Sequence, residues 1–187
     1  MNFVRVYDVH SQAREKLFDW LRPLNQEQYT QSFPFGMHTL QATMVELAGT
    51  ELWLAMRIRG DRFPEPFSWD AWPIREATCP TFADLEAAWR GQMPHTRATL
   101  VAITDPERVV ETRLVRRTGT PRHGPRATGT LVYTATQGDL ATQLLLHEVH
   151  HRAQAMAMLR QLGIAAQDID FISFVQNIRR EDPEPVP

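Results

Sequence analysis

The chain has 187 residues, 43% hydrophobic and 22% charged, with a formal net charge of −2. That length fits one domain hiding roughly 70% of the surface its unfolded chain exposes, the charge lacks the basic balance of a nucleic-acid binder, and the single cysteine, Cys79, excludes an intrachain disulfide. No run approaches the ~20 apolar residues of a membrane span, and Met1 to Arg5 lack the apolar region of a signal peptide, so a soluble, cytoplasmic protein with no membrane partner is expected.

The first helix is expected from about Ser11 to Leu21, with Leu17, Phe18 and Leu21 on one face and Asp8 or Ser11 as its cap. Pro23 ends it. A linker follows through Tyr29 to Gly36, broken by Pro34 and Gly36. The second helix is expected over Met37 to Arg59, where Leu40, Met44, Leu47, Leu54 and Ile58 recur near helical spacing and Gly60 supplies the stop. Gly49 inside it costs up to ~1 kcal/mol relative to Ala, which close approach of a neighbouring helix would explain.

Residues 61 to 80 read as loop, with Pro64, Pro66, Pro73 and Pro80 as breakers and Phe63, Phe67, Trp69 and Trp72 as anchors. Thr81 and Asp84 form a weak capping box that opens a third helix through Leu85, Trp89 and Met93. Pro94 interrupts this helix without closing it, since His95 to Ile103 is again helix-compatible. Val109, Val110, Leu114 and Val115, then Leu131, Val132 and Tyr133, read as two antiparallel strands around a long loop from Gly119 to Gly129. Arg113, Arg116, Arg117, Arg122 and Arg126 in this stretch read as solvated strand and loop charges. Gly138 and Asp139 lead into the last helix, about Leu140 to Leu162, closed by Gly163, and the acid- and proline-rich tail from Glu181 to Pro187 reads as disordered. The expected fold is all-α: a four-helix bundle with long crossover connections and a small β-hairpin before the last helix, one domain over residues 1–180.

The chemistry concentrates in Leu146-His147-Glu148-Val149-His150-His151-Arg152. His147 and His151, four residues apart, project about 40° apart around the helix and can chelate one divalent ion. His147-Glu148-Val149-His150-His151 also satisfies the His-Glu-x-x-His pattern, which would make Glu148 the general base of a zinc hydrolase. A third reading leaves all three histidines without an ion. His150 lies about 100° from His151 and faces away, able to support a ligand from outside the first sphere. A third ligand must come from another element. The second helix offers His38 and Glu46, about 80° apart. Glu46 stands among Met44, Val45 and Leu47, where a buried carboxylate requires a partner; it reads equally well as an exposed face residue. His38, at the helix start, faces solvent. Arg152 either steers an anionic substrate or, the reading favoured, pairs with an acid at the bundle surface.

The stretch from His147 through His151-Arg152-Ala153-Gln154 to Leu159-Arg160-Gln161-Leu162-Gly163 resembles the DinB-like (YfiT-like) metalloenzyme family, whose helix reads His-x-x-x-His-Arg-Gly-Gln followed by Leu-Arg-x-x-Gly. Ala153 replaces the family's Gly, and Asp170-Phe171-Ile172 matches as well. Thr43-Met44-Val45-Glu46 through Glu51 and Trp53-Leu54 to Arg59-Gly60 is similar to the family's Thr-Leu-x-His…Glu…Trp-Leu…Arg-x-Gly, and the similarity extends over the Trp89 region and the strands ending at Tyr133. In that register Glu46 stands where the family carries its first metal histidine. The resemblance implies a Glu46, His147, His151 ligand set, a bound nickel, zinc or manganese ion, a homodimer and a small-molecule substrate, with a low-molecular-weight thiol as co-substrate. A metal-dependent thiol S-transferase is the leading expectation. The alternative is a non-catalytic, stress-associated bundle with a structural or vacant site, and the minor alternative is the zinc hydrolase.

Overall fold

Asn2 opens the first helix, its side chain accepting from the Arg5 amide at 3.0 Å. In the computed structural model, which describes residues 1–116 and 129–176, α1 therefore spans Phe3–Leu21. The expected start at Ser11 is corrected by more than two turns. The apolar pattern hid those turns because the inward face carries Tyr7, His10 and Arg14, all buried. A short α2, Gln26–Thr30, occupies part of the expected linker, held by an Asn25–Gln28 capping box.

The second long helix, α3, is Leu40–Arg59 with Thr39 as its N-cap. It begins later than Met37 because His38 has φ 66°, a left-handed conformation that a helix cannot contain. Gly60 closes it with φ 74°, as expected. Residues 61–80 hold only a 3₁₀ turn, Trp69–Ala71, and their Phe63, Phe67 and Trp72 are buried in an aromatic cluster with Trp69. This loop, rather than a neighbouring helix, explains Gly49. A Cβ there would stand 3.1 Å from the Ile74 carbonyl oxygen, and Trp72 Nε1 donates to the Gly49 carbonyl at 3.1 Å.

The Thr81–Asp84 capping box is present, and α4 (Phe82–Val101) runs continuously through Pro94. Strands β1 (Val109–Arg116) and β2 (Gly129–Thr136) form the expected antiparallel hairpin. Arg113 is an exposed strand charge paired with Glu111 at 2.7 Å; Arg117, Arg122 and Arg126, like the tail from Glu181, lie outside the described residues. The last long helix, α5, spans Gln137–Gln161 and starts ahead of Leu140, because the side chain of Thr136 caps it by accepting from the Asp139 amide. Gly138 in its first turn donates to the Pro106 carbonyl at 2.8 Å, and a Cβ there would stand 3.0 Å from that oxygen. Gly163, with φ 81°, follows its end, and a short α6 covers Ile172–Val175.

The described residues are thus mostly helical with one small hairpin. Helix α3 packs on α5 and α4, and α1 packs on the same two helices. One apolar cluster joins Leu17, Phe18, Met44, Leu85, Trp89 and Met158, and a second, around Tyr7, Leu54, Leu100 and Leu144, fills the other end. Between the two clusters lies polar chemistry.

Candidate metal centre

Helices α3 and α5 run antiparallel, with Gln137 Nε2 donating to the Ile58 carbonyl at 2.8 Å near one end and Thr43 Oγ1 meeting Met158 Sδ at 3.8 Å near the other. This register sets the inward turn of α5 opposite Glu46. One ligand atom each from Glu46, His147 and His151 lies within 4.8 Å of the others. His147 Nε2 is 3.8 Å from Glu46 Oε1, and their side chains are only 15% and 11% exposed. The His147 and His151 rings meet edge to face, with centroids 4.4 Å apart.

The donor set fits a divalent ion. Two imidazole nitrogens and a carboxylate form a set used by zinc, and a 3.8 Å separation is spanned by two bonds of about 2.1 Å at an open angle. Donor pairs near the 4.8 Å limit would need to draw in by some tenths of an ångström. The ring nitrogens must be neutral to bind. Burial, reinforced by the neighbouring His151, pushes the His147 pKa down to about 4, against a smaller opposing pull from Glu46.

Hydrogen bonds on α5 orient the second imidazole. His151 Nδ1 lies 2.8 Å from Gln154 Oε1, and Gln154 Nε2 lies 3.0 Å from His150 Nε2. An amide oxygen only accepts, so this bond calls for the proton on His151 Nδ1 and points to Nε2 as the ring nitrogen that a metal ion would take. His150 is exposed and outside the trio, as expected, although its ring contacts that of His151 at 4.8 Å. His38 is also exposed; its Nδ1 is 3.1 Å from the Phe33 carbonyl oxygen and it takes no part in the trio. Gln154 itself is backed by Gly36, where a Cβ would stand 3.0 Å from Oε1.

Glu148 does not face the trio. It is 4% exposed and engages Arg14 from α1, while Arg152 Nη1 approaches its other oxygen at 3.4 Å. The general-base role from the His-Glu-x-x-His pattern is therefore not supported by its placement. Arg152 is corrected too. It is buried beside Glu148 rather than paired at the surface, and burial lowers its pKa despite that carboxylate.

The sequence reading missed the centre of this network. Arg14, 1% exposed, donates through Nη2 to Glu51 at 2.9 Å as well as to Glu148. Glu51 also accepts from Tyr7 Oη at 2.8 Å and Trp89 Nε1 at 2.9 Å. The Arg14 guanidinium stacks 4.1 Å over the Trp89 ring. Burial alone would lower the Arg14 pKa, but Glu148 and Glu51 hold it above its ordinary value. Helical spacing carried a signal for these groups: Tyr7, His10, Arg14, Leu17 and Leu21 share one face of α1, and Glu51 falls between Leu47 and Leu54 on the core face of α3.

A cavity of about 190 Å³ opens beside the trio, between α3 and the loop after it, lined by Glu46, Thr50, Trp69, Trp72 and Arg75 among others. Thr50 Oγ1 donates to Glu46 Oε1 at 3.1 Å within this wall. No described helix is long and apolar enough to cross a membrane.

Among known proteins, the family model described as DinB family matches residues 1–181. No curated protein matches the chain.

Proposed function

We propose, for a chain that belongs to the DinB family, that Glu46, His147 and His151 hold a divalent metal ion and that the protein is a metal-dependent thiol S-transferase acting on a small molecule. The convergence of these three side chains, from two helices distant in sequence, carries the reading. The ion, nickel, zinc or manganese, would lower the pKa of a bound low-molecular-weight thiol so that thiolate forms at neutral pH.

The chain's own residues support that chemistry in separate ways. His147 is kept neutral by burial, Gln154 fixes the tautomer of His151, and Thr50 orients the Glu46 carboxylate. Glu46 in place of a histidine lowers the site's charge by one and favours metals that accept oxygen ligands. The cavity against Glu46 offers space for substrate. In this proposal residues 1–180 form one four-helix-bundle domain with long crossovers, working as a cytoplasmic homodimer.

Zinc hydrolysis through Glu148 is disfavoured because that carboxylate is committed to Arg14 and Arg152. The test has two stages. Untagged protein should carry close to one equivalent of metal and consume thiol when screened against electrophiles. Less than about a tenth of an equivalent, with no rise in Tm on adding zinc, nickel or manganese, refutes the metal reading. Stoichiometric metal with no thiol consumption favours a non-catalytic, stress-associated bundle with a structural site.

A further inference from the structure

The cavity beside Glu46 has a chemical character of its own. The loop forming its outer wall is fastened to α3, because Trp72 Nε1 donates to the Gly49 carbonyl at 3.1 Å. Arg75 is fastened in turn, its Nη1 donating to the Trp72 carbonyl at 2.7 Å. One edge of the guanidinium is thereby held by backbone, and no carboxylate among the described residues hydrogen-bonds to the rest of it. Trp69 and Trp72, packed edge to face, give the wall its apolar surface. A cavity of about 190 Å³ is somewhat larger than the ~150 Å³ apolar cavity that takes one benzene, which suits a ligand of about half a dozen heavy atoms.

Resting on the metal–thiol reading above, we propose that this cavity binds a small carboxylate-bearing thiol, with Arg75 receiving the carboxylate and the thiol end directed toward Glu46. Guanidinium and carboxylate match in geometry and charge, and a guanidinium pre-positioned by its own loop loses little freedom on pairing. The aromatic wall covers the short apolar segment between the two ends. Arg75 is then a specificity residue, deciding which thiol is accepted without touching the metal ligands. Asp70 and Glu76 also line the cavity and set up the opposing outcome, selection of a cationic thiol.

The experiment compares three probes of similar size on zinc-loaded protein by calorimetry: 3-mercaptopropionate, its neutral amide, and cysteamine. The carboxylate should bind at least tenfold more tightly than the amide, and cysteamine most weakly. Arg75→Gln should abolish the preference for carboxylate over amide while leaving metal content unchanged. Equal affinities for acid and amide, or tighter binding of cysteamine, would overturn the proposal with the metal reading intact. Should the protein take up no metal, the metal reading fails separately. The cavity is then judged on metal-free protein, where 3-mercaptopropionate must shift the indole NMR signals of Trp69 and Trp72 and Arg75→Gln must remove that shift. Unmoved indole signals refute it.

Discussion

Arg14 and Glu148, from the first and last long helices, meet in the interior next to the metal-site turn, on an adjacent face of α5. Glu148 follows His147 directly in sequence, and the helical rotation of about 100° per residue turns it from the ligand face to the ionic core. The pair thus helps fix the rotation of the helix that carries both imidazoles.

Glu148→Gln removes the counter-charge shared by two buried guanidinium groups. Breaking one side of a buried ion pair costs about 3 kcal/mol or more, so a clear fall in the urea midpoint is expected. The contact opposes any assignment of Glu148 as a free base, and a variant of wild-type stability would show that the Arg14 contact contributes little to the fold.

Metal affinity should separate the three neighbouring side chains on α5. His151→Ala is expected to abolish binding, and Gln154→Leu to weaken it about 10- to 100-fold by releasing the imidazole and its tautomer. His150→Ala should change affinity only a few-fold, since His150 offers the trio no ligand atom and meets it through Gln154 and a ring contact with His151. Competition against a chelator measures all three; equal losses for His150→Ala and His151→Ala would contradict this arrangement.

The low pKa of His147, about 4 against an ordinary 6.5, has a definite sign for the metal-free protein. Between those values the folded state binds fewer protons than the unfolded state. The contribution is therefore fully present above pH 6.5 and is lost as pH falls toward 4. The whole shift corresponds to about 3 kcal/mol. Going from pH 7 to pH 4.5, wild-type protein should lose about 2 kcal/mol more stability than His147→Gln. Parallel losses in denaturant titrations of the two proteins would count against a buried neutral His147.

Gly49→Val places a branched side chain against the Ile74 carbonyl, where even a Cβ stands at 3.1 Å. Overpacking of this kind costs about 1–3 kcal/mol. It should also displace the cavity wall, because Trp72 is bonded to the same residue. Unchanged Tm together with unchanged Trp72 indole shifts would mean the loop yields without cost.

Much of the candidate site was legible because two ligands share one helix. The spacing of His147 and His151 specifies their common face from geometry alone. Glu46 was a candidate beside His38 from its apolar neighbours, but only the family resemblance singled it out, since nothing local distinguishes a carboxylate aimed at a distant helix from one facing water. The helix ends were legible where caps are strong, as at Thr81 and Gly60, and obscure at Phe3, where buried polar side chains broke the apolar period. Arg14 escaped notice, and the ionic partnership of Glu51 and Glu148 with it, because residue type argued for the surface while position argued for the core. Partner residues scattered along the chain resolve that conflict only once the helices are packed.

The Gln137–Ile58 hydrogen bond has a consequence for how the chain tolerates changes in length. It joins the start of α5 directly to the end of α3, so the alignment of the two ligand-bearing helices does not depend on the span of chain between them. Insertions within the 61–80 loop or between β1 and β2 should leave the three ligands facing one another. A single residue inserted between Glu46 and Ile58 would swing the carboxylate about 100° around its axis if the distal bond stayed in place. Tolerance to insertion should therefore divide sharply at the end of α3, giving a map of the metal centre that needs no metal to read.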